Sequence, residues 1–214
     1  MTEAESPVLE TEPAAAAVLF GDRLDLARSF TNELARRGEE LGLIGPLELP
    51  RLWTRHILNS AVLAPLLEER GRVADVGSGA GLPGLVLAIA RPDVHLSLIE
   101  PMERRVDWLT SEAARLGLDN VEVLRARAED VADSIVVDQV TARAVSALSK
   151  LIPLTVPLVR SGGQLILMKG ARVDEEIEKA RKVILRKRLT DVEVLELGVG
   201  VVGETTRVFR ATVD

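Results

Sequence analysis

Val73-Ala-Asp-Val-Gly-Ser-Gly-Ala-Gly-Leu-Pro-Gly84 is the stretch whose reading decides the fold. A short apolar run ends in Asp75-Val76, glycines follow at 77, 79, 81 and 84, and an apolar helical pattern opens at Leu85. That is the order strand, tight turn, helix. Glycines suit the turn because its backbone must take positive φ and lie against a ligand with no Cβ between them. Outward from there, short apolar runs alternate with amphipathic segments. Strands are expected at 73–76, 95–100, 121–124, 139–142, 164–168, 192–197 and 207–213. Helices are expected at 82–90, 102–116, briefly after Glu129, at 148–159 bent by Pro153 and Pro157, and at 174–188. Gly162-Gly163 reads as a turn before the fifth strand, and the last two strands read as an antiparallel pair. The alternation implies a mostly parallel, doubly wound α/β sheet. Ahead of this domain, at 72–214, stand a disordered tail over 1–13 and a helical segment over 14–71, with helices at about 14–41 and 49–67.

The composition narrows the function. The chain has 214 residues, net charge −6, no cysteine, no tyrosine and 2% aromatic residues. Disulfides, thiolate sites and cysteine nucleophiles are therefore excluded, and no metal site is expected. The acidic start lacks a signal-peptide pattern and no apolar run approaches a membrane span, so a soluble cytoplasmic protein is expected. A net acidic chain is no generic nucleic-acid binder, and so few aromatics make a stacking platform unlikely as a design. Any nucleic acid must be held by a local patch of arginines.

Two ligands use such a glycine turn. G-x-G-x-x-G is present as Gly79-Ala-Gly81-Leu-Pro-Gly84, the dinucleotide pattern, but Pro83 removes one N–H from the turn that would cradle a pyrophosphate. The alternation of Gly77, Gly79 and Gly81 directly after Asp75-Val76 resembles instead the first motif of class I S-adenosylmethionine-dependent methyltransferases. Glu100 ends the second strand, where a carboxylate can accept from two ribose hydroxyls, which either adenosine cofactor needs. Ala128-Glu129 follows the third strand, in the position that meets an adenine in this fold. Arg143 stands among small residues after the fourth strand, a segment that in this architecture faces the transferred methyl. The chain lacks there the acid or amide, two prolines and an aromatic usual for exocyclic-amine methylation, and it lacks the cysteine usual for pyrimidine C5. What remains suits a nucleophile with a free lone pair, which needs positioning and no general base; guanine N7 is one. An arginine bonded to N7 would block transfer, so Arg143 is expected to meet cofactor or O6. Lys169 lies at the ligand-binding edge of the sheet, and His56 read alone is a packed helical histidine. The basic run from Lys179 to Arg188 reads as a solvated helix face.

Several of these pieces occur together in one family. Arg55-His56-Ile-Leu-Asn-Ser60, Asp75 to Gly84, Arg127-Ala-Glu129, Ala142-Arg143-Ala144, Leu167-Met-Lys169-Gly170 and Arg207 keep the order of the bacterial RsmG, or GidB, methyltransferases, which the chain resembles over about residues 20–214. The resemblance implies a class I methyltransferase fold and methyl transfer from S-adenosylmethionine to N7 of a guanine in 16S ribosomal RNA. It implies that Gly77, Leu82, Ala128, Glu129 and Arg143 line the cofactor site, with Gly79 and Glu100 near it. It also implies that Arg55, His56, Arg127, Lys169 and Arg207 face the RNA or the target base, with Arg143 and Lys169 nearest the chemistry. Gly42 stands where many members carry an asparagine. The partner is then 16S rRNA, or the assembled small ribosomal subunit, whose shape would supplement weak RNA affinity. A small-molecule or protein methyltransferase and a dinucleotide-binding protein remain the alternatives.

Overall fold

The structure, a computed structural model, describes residues 8–214; the expected disordered tail falls outside the described residues over 1–7. Residues 8–13 differ from that expectation because they have polar and apolar partners. The Glu10 N–H donates to Leu49 O at 2.9 Å, its carboxylate accepts from the Thr54 N–H at 2.9 Å, and Glu12 pairs with Arg28 at 2.6 Å.

The first helical stretch divides into α1 (Ala15–Phe20) and α2 (Leu24–Arg37), parted at Gly21, whose φ is +50°. The second is not a plain α-helix. A 3₁₀ turn (Leu49–Arg51) runs into a π-helical stretch (Leu52–Leu58), then α3 (Asn59–Ala61) and another 3₁₀ turn (Ala64–Leu66). Its buried residues explain the wide turn. Leu52 and Ile57, and Trp53 and Leu58, are five apart, the spacing that a π-helix stacks on one face.

Seven strands form one sheet: β1 (Arg72–Val76), β2 (His95–Ile99), β3 (Val121–Leu124), β4 (Val137–Arg143), β5 (Val159–Lys169), β6 (Leu189–Leu197) and β7 (Thr206–Val213). Their order is β3-β2-β1-β4-β5-β7-β6, parallel through β5, with β7 antiparallel to both neighbours. β5 begins at Val159, earlier than expected. Gly162-Gly163 is an irregularity inside the strand, with Gly162 at φ +74° where the register against β4 shifts between Val137 and Gln139, and it does not form a turn before the strand.

Helices α4 (Gly84–Ala90), α5 (Glu103–Arg115), α6 (Ala128–Val131), α7 (Leu148–Thr155) and α8 (Val173–Arg186) complete the fold. One core joins α1 to α5 to one face of the sheet, and a second joins α6, α7 and α8 to the other. The N-terminal helical segment therefore shares a core with the sheet. Strand order reverses between β1 and β4, so the crevice opens at their carboxyl ends, where open α/β sheets take ligands. Among the described residues no helix is long and apolar enough to cross a membrane.

Candidate active site

The glycine turn is held from both sides. Behind it, buried Asp75 accepts the Gly84 N–H on Oδ2 at 3.0 Å. A Cβ on Gly84 would come 2.6 Å from that oxygen, so only glycine lets α4 start this close to β1. Burial pushes the Asp75 carboxyl up to about 7, against the pull of Ser78 and the Gly84 N–H. From the side, Trp108 donates its indole N–H to Ala80 O at 3.0 Å and packs against Phe30, with ring centroids 6.5 Å apart. Trp108 thus ties the turn to α2. In front, Gly77 sits at φ +72°, and a Cβ there would lie 2.8 Å from Val145 Cγ2. Glu100, only 2% exposed, accepts from the Gly79 N–H at 3.0 Å and the Met102 N–H at 2.9 Å.

Over this turn lies a cavity of about 750 Å³. Gly77, Gly79, Leu82, Glu100, Ala128, Glu129 and Arg143 all line it, which brings the expected cofactor residues together. Arg127 and His56, expected toward the RNA, also line this cavity. The cradle that a side chain at Gly77 would obstruct and the acid at Glu100 fit an adenosyl group. So does the buried Arg105 Nε, a donor on the same wall with no protein partner.

Across the cavity, Glu48, His56 and Arg143 form a chain. Arg143 donates from Nη2 to His56 Nδ1 at 2.6 Å and to Arg55 O at 3.1 Å, and from Nη1 to His56 O at 3.3 Å and Ser60 Oγ at 3.4 Å. A guanidinium has no acceptor, so Nδ1 must accept, and the proton of neutral His56 sits on Nε2. Nε2 then donates to Glu48 Oε2 at 2.6 Å. Burial, then the Arg143 charge, lower the pKa of His56, which keeps the ring neutral. Burial and the neighbouring Arg55 draw Arg143 down to about 10, so it stays charged at neutral pH. Burial opposes ionisation of Glu48, yet hydrogen bonds from His56 and Arg51 hold its carboxyl below the usual range. Arg143 was expected to reach cofactor or O6; it lines the cavity, and its four hydrogen bonds within the chain go to the helical segment.

Arg143 and Ala144 also line a second cavity of about 790 Å³, so the two spaces meet at the end of β4. Ala144 holds φ +54° there, a left-handed conformation uncommon for a residue with a Cβ. Arg55 and Lys169 line this second space. Lys169 is 9% exposed at its side chain, pairs with Glu176 at 2.7 Å and donates to Ser146 O at 2.9 Å. Arg207 lies beside it, opposite Lys169 across β5 and β7, and donates to Ala171 O at 2.9 Å while pairing with Asp174 at 2.9 Å. Glu48, Glu176 and Arg105 were missed by sequence reasoning, because each reaches the site from a different element with no local spacing to mark it. Asn59 and Ser60 were legible only as part of the Arg55–Ser60 run. Gly42 lies at φ +64°, a left-handed region that asparagine also tolerates.

Comparison with known proteins points to one family. The family model described as rRNA small subunit methyltransferase G matches residues 23–201. The chain is 65% identical over 209 residues to ribosomal RNA small subunit methyltransferase G of Clavibacter sepedonicus, covering 98% of this chain and 99% of that one. To the protein of that name in Corynebacterium glutamicum strain R it is 48% identical, covering 92% and 89%. Among solved structures, Aeropyrum pernix fibrillarin with bound S-adenosyl-L-methionine superposes with TM-score 0.56 at 17% identity, over 74% of this chain and 75% of that one. The tRNA (m1A58) methyltransferase of Aquifex aeolicus gives TM-score 0.57 at 14% identity, over 72% and 68%. At these identities the structures speak for the fold, that of class I methyltransferases.

Proposed function

The chain belongs to the rRNA small subunit methyltransferase G family, and from that membership we infer that it transfers a methyl group from S-adenosylmethionine to N7 of a guanine in 16S ribosomal RNA. The observation that carries the assignment of sites is the pair of cavities meeting at Arg143 and Ala144. The first takes the cofactor, and the second takes the base.

S-adenosylmethionine supplies an electrophilic methyl on a positively charged sulfur. Gly77 would leave room for it, Glu100 would accept from its ribose hydroxyls, Leu82 and Ala128 would wall its adenine, and Glu129 would meet the exocyclic amine. N7 of guanine carries a lone pair and no proton, so no residue has to act as a base. Transfer moves positive charge onto the purine, and uncompensated cations next to N7 would oppose it. The site meets that demand. His56 is held neutral, Lys169 is paired with Glu176 and Arg207 with Asp174, while Arg143 keeps its charge and directs its guanidinium hydrogen bonds to the helical segment. Arg55, Arg127 and the exposed Arg172 stand at the rims to meet RNA phosphates.

The test is nucleoside mass spectrometry of 16S rRNA from cells with and without the gene. Loss of one 7-methylguanosine on deletion, restored by the wild-type gene, is the expected result; an unchanged 7-methylguanosine content overturns the reading.

A further inference from the structure

Buried polar atoms without partners are rare in folded proteins, and each one asks for an explanation. Of the eight such side-chain atoms among the described residues, three belong to residues that line the second cavity: Asn59 Oδ1, Ser146 Oγ and Thr206 Oγ1. Asn59 is 8% exposed and Thr206 6%. These oxygens are shielded from water and unmatched by protein, on a wall that also carries the cations Arg55, Arg143, Lys169 and Arg172 and the acids Glu176 and Glu204, of which Glu176 is paired with Lys169. A cavity with cations on one part and an unmatched carboxamide oxygen on another calls for a ligand that presents both an acceptor and a donor.

Guanine presents O6 as an acceptor and the 2-amino group as a donor on one edge, and turning N7 toward Ala144 leaves that edge inside the second cavity. We propose that Asn59 is a specificity-determining residue, whose side-chain oxygen accepts from the 2-amino group of the unstacked target guanine while O6 meets the cationic wall. Of the two donors on that edge, the 2-amino group lies farther from O6, and so farther from the cations. Adenine fails both contacts: its N6 amine would face cations, and its C2 carries no donor. Asn59 is well placed to be rigid, because it sits on α3 directly before Ser60, which donates to His56 O at 2.7 Å and accepts from Arg143. The proposal rests on the N7-guanine reading and adds how the base is chosen.

The experiment compares small subunits reconstituted with 16S rRNA carrying guanosine or inosine at the target position; inosine lacks only the 2-amino group. Wild-type protein should lose about 10- to 100-fold in kcat/KM on inosine, the scale of one good base contact. Asn59→Ala should lose a similar factor on guanosine and treat the two bases alike, whereas Asn59→Asp, which keeps an acceptor, should restore discrimination. Equal wild-type rates on both bases overturn the proposal, and so does full discrimination by Asn59→Ala. Because the wild-type comparison needs no variant, misfolding of Asn59→Ala leaves the test intact. Absence of 7-methylguanosine from guanosine-bearing particles would defeat the underlying reading as well; its presence without discrimination defeats this inference alone.

Discussion

Which ring nitrogen of His56 holds the proton governs how Arg143 is placed. Glu48 fixes that choice without touching Arg143, by taking the Nε2 proton at 2.6 Å. Glu48→Ala should release the tautomer and cost about 1–2 kcal/mol of stability. It should also lower kcat more than it raises KM for cofactor, while Glu48→Gln, still an acceptor, stays near wild type. Equal effects of the two substitutions would contradict this account. The pH dependence has a definite sign. The folded pKa of His56 lies below the ordinary 6.5, so the unfolded chain binds the proton first as pH falls. The contribution of neutral His56 is therefore complete above 6.5 and is lost as pH falls below that value, with a matching acid limb in kcat/KM. Glu48 was not legible in the sequence because it stands eight residues before His56, a separation with no helical meaning, across a 3₁₀ turn.

At the level of elements, the strand–turn–helix around Gly77 was readable because its demands are local. An apolar run, glycines at strained positions and a helix start all lie within one window. The π-helical stretch was not readable, since its inward residues also match an α-helical face approximately, and only packing against the sheet shows the five-residue spacing. The extent of β5 was misjudged for a related reason: paired glycines signal a turn locally, whereas pairing with β4 keeps the strand going. Asp75 joins β1 to the start of α4 and offers a test of that junction. Its folded pKa of about 7 lies above the ordinary 3.8, so the folded form holds the proton more tightly. Stability from this group is complete below 3.8 and is lost as pH rises through about 7. Asp75→Asn lacks this term, so its stability relative to wild type should improve between pH 4 and pH 7 in denaturant titrations. A constant difference across that range would show that the junction is not protonated as described.

For the molecule as a whole, a net charge of −6 must coexist with RNA binding. The cations around the second cavity are mostly paired with acids, which favours a substrate whose shape and other surfaces supplement phosphate contacts. The assembled small subunit is accordingly the proposed substrate. Exposed Arg172 makes the prediction concrete. Arg172→Ala should weaken binding to small subunits and reduce the slope of log K against log salt by about one; an unchanged slope would place the RNA elsewhere. The division of labour between two cavities was only partly visible in the sequence. The motif order indicated which strands end at the crevice, but not that Arg127 and His56 border the cofactor side or that Arg143 stands between the two.

On this account, one cavity hands a sulfonium methyl past Ala144, which lines both cavities, to a guanine nitrogen. The most direct test is incubation of the purified protein with S-adenosylmethionine bearing a trideuterated methyl and with small subunits from cells lacking the gene, followed by nucleoside mass spectrometry. The predicted result is trideuterated 7-methylguanosine at a single 16S position, lost when Gly77→Val fills the cradle in a variant shown to remain folded. Label on any other nucleoside, or undiminished transfer by the folded Gly77→Val protein, would contradict the account.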